Sequence, residues 1–566
     1  MTDRRDAAFA RAALNGVLNR RAILARGLGL GLTAPAIAGL VTSNAAAAAP
    51  AGATRGRLAR QQEGGGGTFT TLILSGAEDI DPHSSYSTLS SVIALGVYEM
   101  LIQYKGESTS EYEPMLAESW EVAPDNTSAT FTLPPNATFH DGTVCDAAAV
   151  KFSFTRFLEM GLGPVNVISR FIDSADQIEV VDAQTVKFTF TQPEPLFLAA
   201  MASSYGPYVV SPTAVEENKS DDDPWANLWF MANAVGTGPY RLTENSISER
   251  VVMERFEEFH GGWEGTEFDE IVLRVVEENA TRRQLIENGE ADAITNDLTY
   301  EDLDALRENP DLQVLEYDTT HVNWIILNAA NLSVDARKGL SHAFPYDDVI
   351  AGVYSDLLKR SGPIPDTVKG YDPNVFLYQT DLALAKEQML AGGLSEGDSF
   401  DFLIAAGDEK DRSIAQLFQA NLAEIGFNLE LSEVDQATMD SIVFGDQPVE
   451  EKPYFISWAW WPDYNDPWNQ LQPNFTEAMI GSSGSNAGGW INPRFEEIMA
   501  EAEHYTDEAS LIELMAEVQN ILTEQDPPAI FYGQLKYFTV LQQNIQGFVA
   551  NPLYLYAYPF SRMSRA

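Results

Sequence analysis

The sequence predicts a mixed α/β (α+β) protein built from several folding units. Apolar and polar residues alternate around Phe131 and Leu133 and again over residues 186–190, which is typical of half-buried strands. Apolar residues at helical spacing run over residues 511–522 and stop before Pro527, which cannot continue a helix. The 566 residues are 45% apolar, and about 150 residues per domain gives roughly three to four units.

A second helix is expected near the middle of the chain. Asp381 is a suitable N-cap, and Gly392 and Gly393 provide a stop. The sequence contains no repeat of about 20–50 residues and no coiled-coil heptads. Helix and strand signals therefore alternate irregularly, as expected for a mixed architecture.

The charge balance restricts the partners. The chain has 35 basic and 83 acidic residues and a formal net charge of −48. Nucleic acid is excluded as a partner, because phosphate binding requires a basic surface, and an anionic membrane surface is disfavoured for the same reason. The acids are spread along the whole chain, which favours a solvated surface over a field that attracts cationic ligands.

The first fifty residues read as a targeting segment. Six arginines oppose two aspartates, and an apolar stretch over residues 22–41 precedes small residues at Ala45–Ala49 that suit a cleavage site. The pair Arg20–Arg21 resembles a twin-arginine export signal. A membrane anchor is the alternative, but the stretch is weakly hydrophobic. Residues 51–67, with four glycines at the end, are expected to form a flexible linker.

Motifs for catalysis or metal binding are absent from the sequence. It has no phosphate-binding loop, no H-E-x-x-H pair and no G-x-S-x-G elbow, and the six histidines are scattered. The single cysteine, Cys145, rules out an intrachain disulfide and a site of several cysteines, and we expect it to be buried. We therefore predict no catalytic residue, no metal ligand and no cofactor, although a chance carboxylate pair of the glycosidase type stays open.

An aromatic segment is the most distinctive local feature. Four tryptophans, two carboxylates and two prolines fall within residues 458–468. Indole rings pack ligands and attract cations, and a carboxylate within an apolar rim pairs strongly with an ammonium group. The alternative interpretation, a tryptophan-rich core strand that runs into a turn, fits the composition equally well.

Several segments resemble the motifs of one family in the family's order. They are Phe139–Thr143 followed by Ala147–Arg156, Gly236–Tyr240, Ala280–Asp292, Leu327–Ala343, Gly362–Pro365, Trp460–Pro467 and Gly547–Phe548. Together they resemble the family 5 solute-binding proteins, the dipeptide, oligopeptide and nickel receptors of ABC importers. The sequence departs from the family pattern at Ala149, where the family has Asp, and at Phe344–Tyr346, where it has Asp-Arg.

The resemblance implies a two-lobed periplasmic-binding-protein-like fold with a hinge, a discontinuous first lobe and an inserted subdomain. The implied segments are 1–50 (twin-arginine-type signal peptide), 51–67 (flexible linker), 68–108 (lobe I), 109–234 (inserted subdomain II), 235–319 (lobe I), 320–539 (lobe III) and 540–566 (lobe I). Closure of the lobes over a ligand in the cleft is the implied mechanism.

The resemblance also implies the site residues. In peptide-binding members an acidic residue of the W-x-x-D segment pairs with the ligand's α-ammonium, and the matching residue here is Asp463. We expect Trp460, Trp461 and Tyr464 to wall the pocket with Trp458 beside them. Trp324 is expected either to face the cleft or to pack in the core.

The implied function is an exported, non-enzymatic receptor that delivers a small ligand, most often a peptide, to ABC permease subunits. We expect it to act as a monomer at the outer face of the cytoplasmic membrane. Two alternatives stay open at the level of sequence. One is a receptor for an oligosaccharide, a nickel chelate or another cation, and the other is a secreted hydrolase that uses a carboxylate pair.

Overall fold

A computed structural model gives the structure of residues 66–296, 298–355, 357–505 and 507–566. The predicted signal peptide and the predicted linker up to residue 65 lie outside the described residues. Among the described residues, no helix combines the length and the apolar character needed to cross a membrane.

The described chain alternates helices and strands in the irregular order that the sequence predicts. The strands are β1 (Thr68–Ile73), β2 (Ile102–Tyr104), β3 (Tyr112–Pro114), β4 (Ser119–Val122), β5 (Ser128–Thr132), β6 (Ile178–Val180), β7 (Thr185–Thr189), β8 (Tyr240–Ser246), β9 (Arg250–Arg255), β10 (Glu270–Val275), β11 (Ala293–Thr295), β12 (Leu312–Leu327), β13 (Leu358–Lys359), β14 (Ser399–Ala405), β15 (Asn428–Val434), β16 (Phe455–Trp460), β17 (Ala529–Gln542), β18 (Ile545–Gln546) and β19 (Ser564–Arg565). The helices are α1 (Thr88–Val97), α2 (Ala147–Met160), α3 (Asn166–Ser169), α4 (Phe197–Met201), α5 (Pro212–Asn218), α6 (Asn227–Phe230), α7 (Asn279–Glu287), α8 (Tyr300–Arg307), α9 (Val334–Ala343), α10 (Tyr346–Val349), α11 (Leu382–Ala391), α12 (Glu409–Glu424), α13 (Gln436–Val443), α14 (Pro467–Phe475), α15 (Pro493–Ala502) and α16 (Glu508–Asn520).

An eleven-stranded sheet organises the molecule, in the order β15-β14-β16-β12-β17-β11-β1-β10-β9-β8 with β13 added beside β17. Near one end β14 runs parallel to β15 and β16, and in the other half β1 runs parallel to β10 and β11. The long strands β12 and β17 pair antiparallel between these two regions. The sheet thus consists of two α/β halves, lobe III and lobe I, joined by two continuous strands.

The pairing of β12 with β17 breaks between the two halves. Residues 312–318 pair with one stretch of β17, and the register shifts before pairing resumes at Val322. Thr319, Thr320 and His321 lie at this break. It falls where the sequence predicts the passage from lobe I to lobe III, although the residue boundaries of the lobes stay a prediction.

A separate subdomain is inserted between α1 and β8. Its four-stranded antiparallel sheet has the order β4-β5-β7-β6, and α2 packs on that sheet through Phe154, whose ring contacts Phe188. Phe131, Phe154 and Phe188 are all buried in the same apolar core. Each lobe has cores of its own around the large sheet.

Local signals in the sequence account for several element boundaries. Asp381 caps α11, its carboxylate accepting backbone N–H bonds from Ala383 and Leu384, and Gly392 ends the helix, which confirms that prediction. Asp146 caps α2 in the same way. The helix predicted over residues 511–522 is confirmed as α16, which is followed by a π-helical turn before Pro527. Cys145 is buried, as predicted.

Candidate functional site

The aromatic segment leaves the large sheet at the end of β16 and enters α14. Asp466 caps α14 by accepting backbone N–H bonds from Trp468 and Asn469, and Pro467 occupies the first helical turn. The two prolines and the cap hold residues 461–466 in a non-helical turn. Asp463 lies in the middle of this turn.

Asp463 is a buried carboxylate, 9% exposed, between the two lobes. Its Oδ1 accepts a hydrogen bond of 2.5 Å from the hydroxyl of Tyr86, which belongs to lobe I, and its Oδ2 accepts one of 3.3 Å from the Asn469 amide. Burial raises the pKa of Asp463 to about 6, although both hydrogen bonds act in the opposite direction. Neither of these partners within the described chain carries a positive charge.

Trp461 also lies where lobe III and the inserted subdomain meet. Its indole Nε1 donates to the hydroxyl of Tyr205, in the inserted subdomain, at 3.3 Å. Its ring lies 4.9 Å from the imidazole of His321, whose Nδ1 is 3.0 Å from the Tyr537 hydroxyl. Tyr205 also makes an edge contact with Tyr86 at 5.0 Å. Trp461, Tyr86 and Tyr205 therefore form an aromatic wall contributed by both lobes and the subdomain.

On the face of β12 that meets Trp461, two buried polar atoms lack a partner among the described residues. They are Nε2 of His321 and Nδ2 of Asn323. Asn323 is 7% exposed. Burial, together with the charge of Lys410, lowers the pKa of His321 to about 3, so its imidazole is neutral. A buried polar group without a partner is costly, and polar atoms of a ligand would satisfy these two.

Tyr464 extends from lobe III into the core of the inserted subdomain and is 1% exposed. Its hydroxyl accepts a hydrogen bond of 3.1 Å from Arg170 of that subdomain. The Arg170 guanidinium stacks on the ring of Trp468 at 4.2 Å and donates to the backbone oxygen of Glu503. Tyr464 thus contributes to holding the subdomain against lobe III.

The other tryptophans of the prediction lie on the opposite face of the sheet. Trp458 pairs directly with Trp324, and Trp460 pairs with Val322, so these side chains share one face. Trp324 is 1% exposed and contacts Phe475 and Phe531, so it takes the core position that the sequence left open. Trp458 and Trp460 border the same core, and Trp460 also donates to the backbone oxygen of Asn469.

The structure therefore brings together Asp463, Trp461 and Tyr464 of the six predicted residues, and it adds residues that the sequence did not indicate. Tyr86 and Tyr205 lie hundreds of residues before the aromatic segment, in stretches without a distinctive pattern. His321 could be found only from the register break in β12, which is a property of strand pairing and not of the local sequence.

Two α/β lobes joined by continuous strands, with a buried acidic group between them, are the architecture of a two-lobed solute-binding protein. Residues 111–482 match the model of the bacterial extracellular solute-binding proteins, family 5 (middle region), and the chain belongs to this family. The probable D,D-dipeptide-binding periplasmic protein DdpA of Escherichia coli (strain K12) is 28% identical over 505 residues, which cover 87% of this chain and 94% of that protein.

Two solved structures share the fold. The periplasmic binding protein DppA from Helicobacter pylori, in complex with the peptide STSA, has a TM-score of 0.75 at 21% identity and covers 89% of this chain and 98% of its own. The dipeptide-binding protein from Pseudoalteromonas sp. SM9913, in complex with Met-Leu, also has a TM-score of 0.75 at 21% identity. It covers 88% of this chain and 100% of its own.

Proposed function

We propose that this protein captures a peptide between its lobes and delivers it to the permease subunits of an ABC importer. Family membership supports the role of solute capture. The names of the relatives support the choice of solute, since one is named for dipeptides and two structural neighbours were solved with peptides. The protein would act as a monomer that binds the permease subunits at the outer face of the cytoplasmic membrane.

The observation that carries this proposal is the environment of Asp463. Its carboxylate is buried between the lobes, and the hydrogen-bond donors that contact it are a phenol and an amide. An ionised carboxylate in such a place gains most from a cationic partner, because the low local dielectric strengthens the attraction. The α-ammonium of a peptide is a small cation with three N–H donors and would fill this role.

The surroundings of Asp463 suit the rest of a peptide. Trp461, Tyr86 and Tyr205 would pack against its side chains. The Asn323 amide would donate to a carbonyl or carboxylate oxygen, and Nε2 of His321 would meet another polar atom of the peptide. Tyr464 would close the pocket from the side of the subdomain. Trp460, with Trp458 and Trp324 behind it, would support the wall from the opposite face of the strand.

Binding assays with matched peptides test this proposal. We expect Ala-Ala to bind the wild-type protein, and N-acetyl-Ala-Ala, which lacks the ammonium, to bind at least about thirtyfold more weakly, because a desolvated charge pair is worth about 2 kcal/mol or more. Asp463→Asn should weaken the binding of Ala-Ala to a similar degree. Isothermal titration calorimetry measures both effects.

The control variant is Asp222→Asn, which changes an exposed aspartate in the inserted subdomain. It should bind Ala-Ala as the wild type does. Equal affinities for Ala-Ala and its N-acetyl form, or unchanged binding by Asp463→Asn, would remove Asp463 from the ligand site.

We further propose that the protein reaches the periplasm through the twin-arginine route. The pair Arg20–Arg21, followed by a weakly apolar stretch and small residues, supports this assignment. Replacement of both arginines by lysine keeps the charge, yet it should leave the protein in the cytoplasmic fraction. The control variant Arg4→Lys should be exported normally. Immunoblots of cell fractions distinguish these outcomes.

A further inference from the structure

A cavity of about 530 Å³ lies between lobe I and the first two strands of the inserted subdomain, β2 and β3. The residues that line it belong to segments 95–115, 239–267 and 549–564, so lobe III contributes none of them. The cavity is therefore separate from the junction that holds Asp463. Its volume falls within the range of about 300–1,000 Å³ that is typical of ligand sites.

A buried carboxylate lies in the wall of this cavity. Glu99 follows α1 and is 2% exposed. Among the described residues one side chain meets its carboxylate, since Nε2 of His260 lies 2.8 Å from one oxygen and 3.0 Å from the other. A carboxylate offers about four lone-pair sites. Glu99 therefore keeps acceptor capacity for N–H donors of a ligand, and such donors would offset the cost of its burial.

The charged residues of the lining favour a cation. Its acidic members are Glu99, Glu113, Glu264 and Glu267, and its basic members are His260 and Arg562. Negative charge exceeds positive charge even when His260 is protonated. Both donors that contact Glu113, from Gln103 at 3.0 Å and from Arg562 at 2.7 Å, bond the same oxygen, Oε1. The cavity should attract a cationic ligand and repel an anionic one.

Aromatic residues make up much of the remaining wall. They are Tyr104, Phe259, Tyr554, Tyr558 and Phe560. The Tyr554 hydroxyl already bonds two backbone atoms, as it accepts from the N–H of Tyr104 at 2.9 Å and donates to the oxygen of Ala202 at 2.8 Å. Such side chains offer a ligand ring surface, which packs apolar groups and attracts cations.

From these observations we infer that the cavity is a second ligand site, which takes a small organic cation with an ammonium group at Glu99 and an apolar body against the rings. This inference goes beyond the proposed function and does not depend on peptide binding at Asp463. A bare metal ion does not fit, because no group of three or more His, Cys, Asp or Glu residues in the described part of the chain is placed to hold one.

Three small compounds of similar shape test the inference: phenethylamine, the neutral 2-phenylethanol and the anionic phenylacetate. The protein is the full-length Asp463→Asn variant, so that pairing of an ammonium group with Asp463 does not contribute. By calorimetry we expect phenethylamine to bind at least about tenfold more tightly than 2-phenylethanol, because hydrogen bonds to a charged group account for a factor of this size. Phenylacetate should bind most weakly of the three.

Two further substitutions, each added to Asp463→Asn, locate the site. Glu99→Gln should reduce the preference for phenethylamine over 2-phenylethanol to below about twofold. Val549 lines the cavity and is 43% exposed, so Val549→Trp places a ring at the mouth without altering a buried group. It should weaken the binding of phenethylamine at least about fivefold. The matched control is Val181→Trp, which changes a valine that is 52% exposed and lies outside the cavity, and it should leave binding unchanged.

Melting temperatures verify that the variants fold, and Val549→Trp decides the matter if Glu99→Gln does not. If phenethylamine binds no more tightly than 2-phenylethanol, or if Val549→Trp leaves its binding unchanged, the cavity is not a site for organic cations. Neither result affects the peptide proposal, which depends on the binding of Ala-Ala to the wild-type protein.

Discussion

Burial between the lobes sets the pH range in which the Asp463 carboxyl group carries a charge. Burial raises its pKa to about 6, against an ordinary value of 3.8, because the charged form loses hydration. The hydrogen bonds from Tyr86 and Asn469 offset only part of that loss. The carboxylate is thus ready to pair with an ammonium group at neutral pH, and less so in acid.

This property predicts a pH dependence of peptide binding. Above pH 6 the carboxylate of the free protein is ionised, and affinity should be constant until the peptide ammonium itself deprotonates. Below pH 6 a proton must leave Asp463 before the ammonium binds, so the affinity should fall by up to about tenfold for each pH unit. Calorimetry of Ala-Ala binding between pH 4.5 and pH 8 measures this profile.

The same profile should be flat for Asp463→Asn, whose residual binding has no titrating group at this position. A wild-type affinity that stays constant from pH 8 down to pH 4.5 would contradict the assignment. The pH at which the affinity begins to fall identifies the group, since a protein whose binding carboxylate had an ordinary pKa would lose affinity only near the acid end of this range.

The sequence predicts that Asp463 lies within an indole-rich segment, but it does not predict which way the tryptophan side chains face. The aromatic segment itself indicates a carboxylate within an indole-rich turn. Which indoles face the junction depends on the pairing of β16 with β12, where Trp458 meets Trp324. That pairing joins segments more than a hundred residues apart, and no local pattern specifies it. The partner Tyr86 is separated from Asp463 by 377 positions.

At the scale of elements, α2 positions the segment that carries Tyr86. Arg156 of α2 donates from Nη1 to Oδ1 of Asp81 at 2.8 Å and from Nη2 to Oδ2 at 2.5 Å. Both side chains are fully buried, and Nη1 also lies 3.0 Å from Nδ1 of His83. This bidentate pair ties the stretch that leads to Tyr86 onto the inserted subdomain.

Breaking this pair should be costly. Arg156→Ala leaves the Asp81 carboxylate buried without its cation, and we expect the free energy of unfolding to fall by about 3–5 kcal/mol. Urea denaturation followed by tryptophan fluorescence measures the change. The matched control is Arg494→Ala, which removes an exposed pair with Glu517 and should leave stability nearly unchanged. An equally small effect of Arg156→Ala would show that the buried pair contributes no stability.

Elements with strong local signals were predictable, and the connections between them were less so. The cap at Asp381 and the stop at Gly392 define α11 from sequence alone. The alternation in β5 and β7 likewise indicates strands of a half-buried sheet. The arrangement of β12 and β17 as two long strands through both lobes depends on pairing between distant segments. No periodicity in the sequence predicts this arrangement, and the family resemblance implies only two lobes joined by a hinge.

At the scale of the whole molecule, the inserted subdomain and lobe III are in direct contact beside Asp463. The backbone N–H of Asn465 donates to the Tyr104 hydroxyl at 3.2 Å, and the Asn465 side chain donates to the backbone oxygen of Thr109 at 2.9 Å. Arg170 adds its contacts with Tyr464 and Trp468. In the hinge closure that the family resemblance implies, these contacts would stabilise the closed arrangement of the lobes.

This arrangement predicts that a residue outside the ligand pocket controls affinity. A ligand that binds the closed form is held only as tightly as that form is populated. Arg170→Ala removes a cation–π contact and two hydrogen bonds that the closed form makes across the interface. We therefore expect the dissociation constant for Ala-Ala to rise about tenfold, mainly through faster dissociation. Calorimetry and stopped-flow fluorescence measure these two quantities.

Small-angle X-ray scattering separates closure from a direct effect on the peptide. Without ligand, Arg170→Ala should have a larger radius of gyration than the wild type, and saturating peptide should restore the compact value. Arg494→Ala, whose ion pair lies within lobe III, should match the wild type in affinity and size. If Arg170→Ala loses affinity but its radius of gyration without ligand is unchanged, the residue acts on the pocket through Tyr464 and not through the balance between open and closed forms.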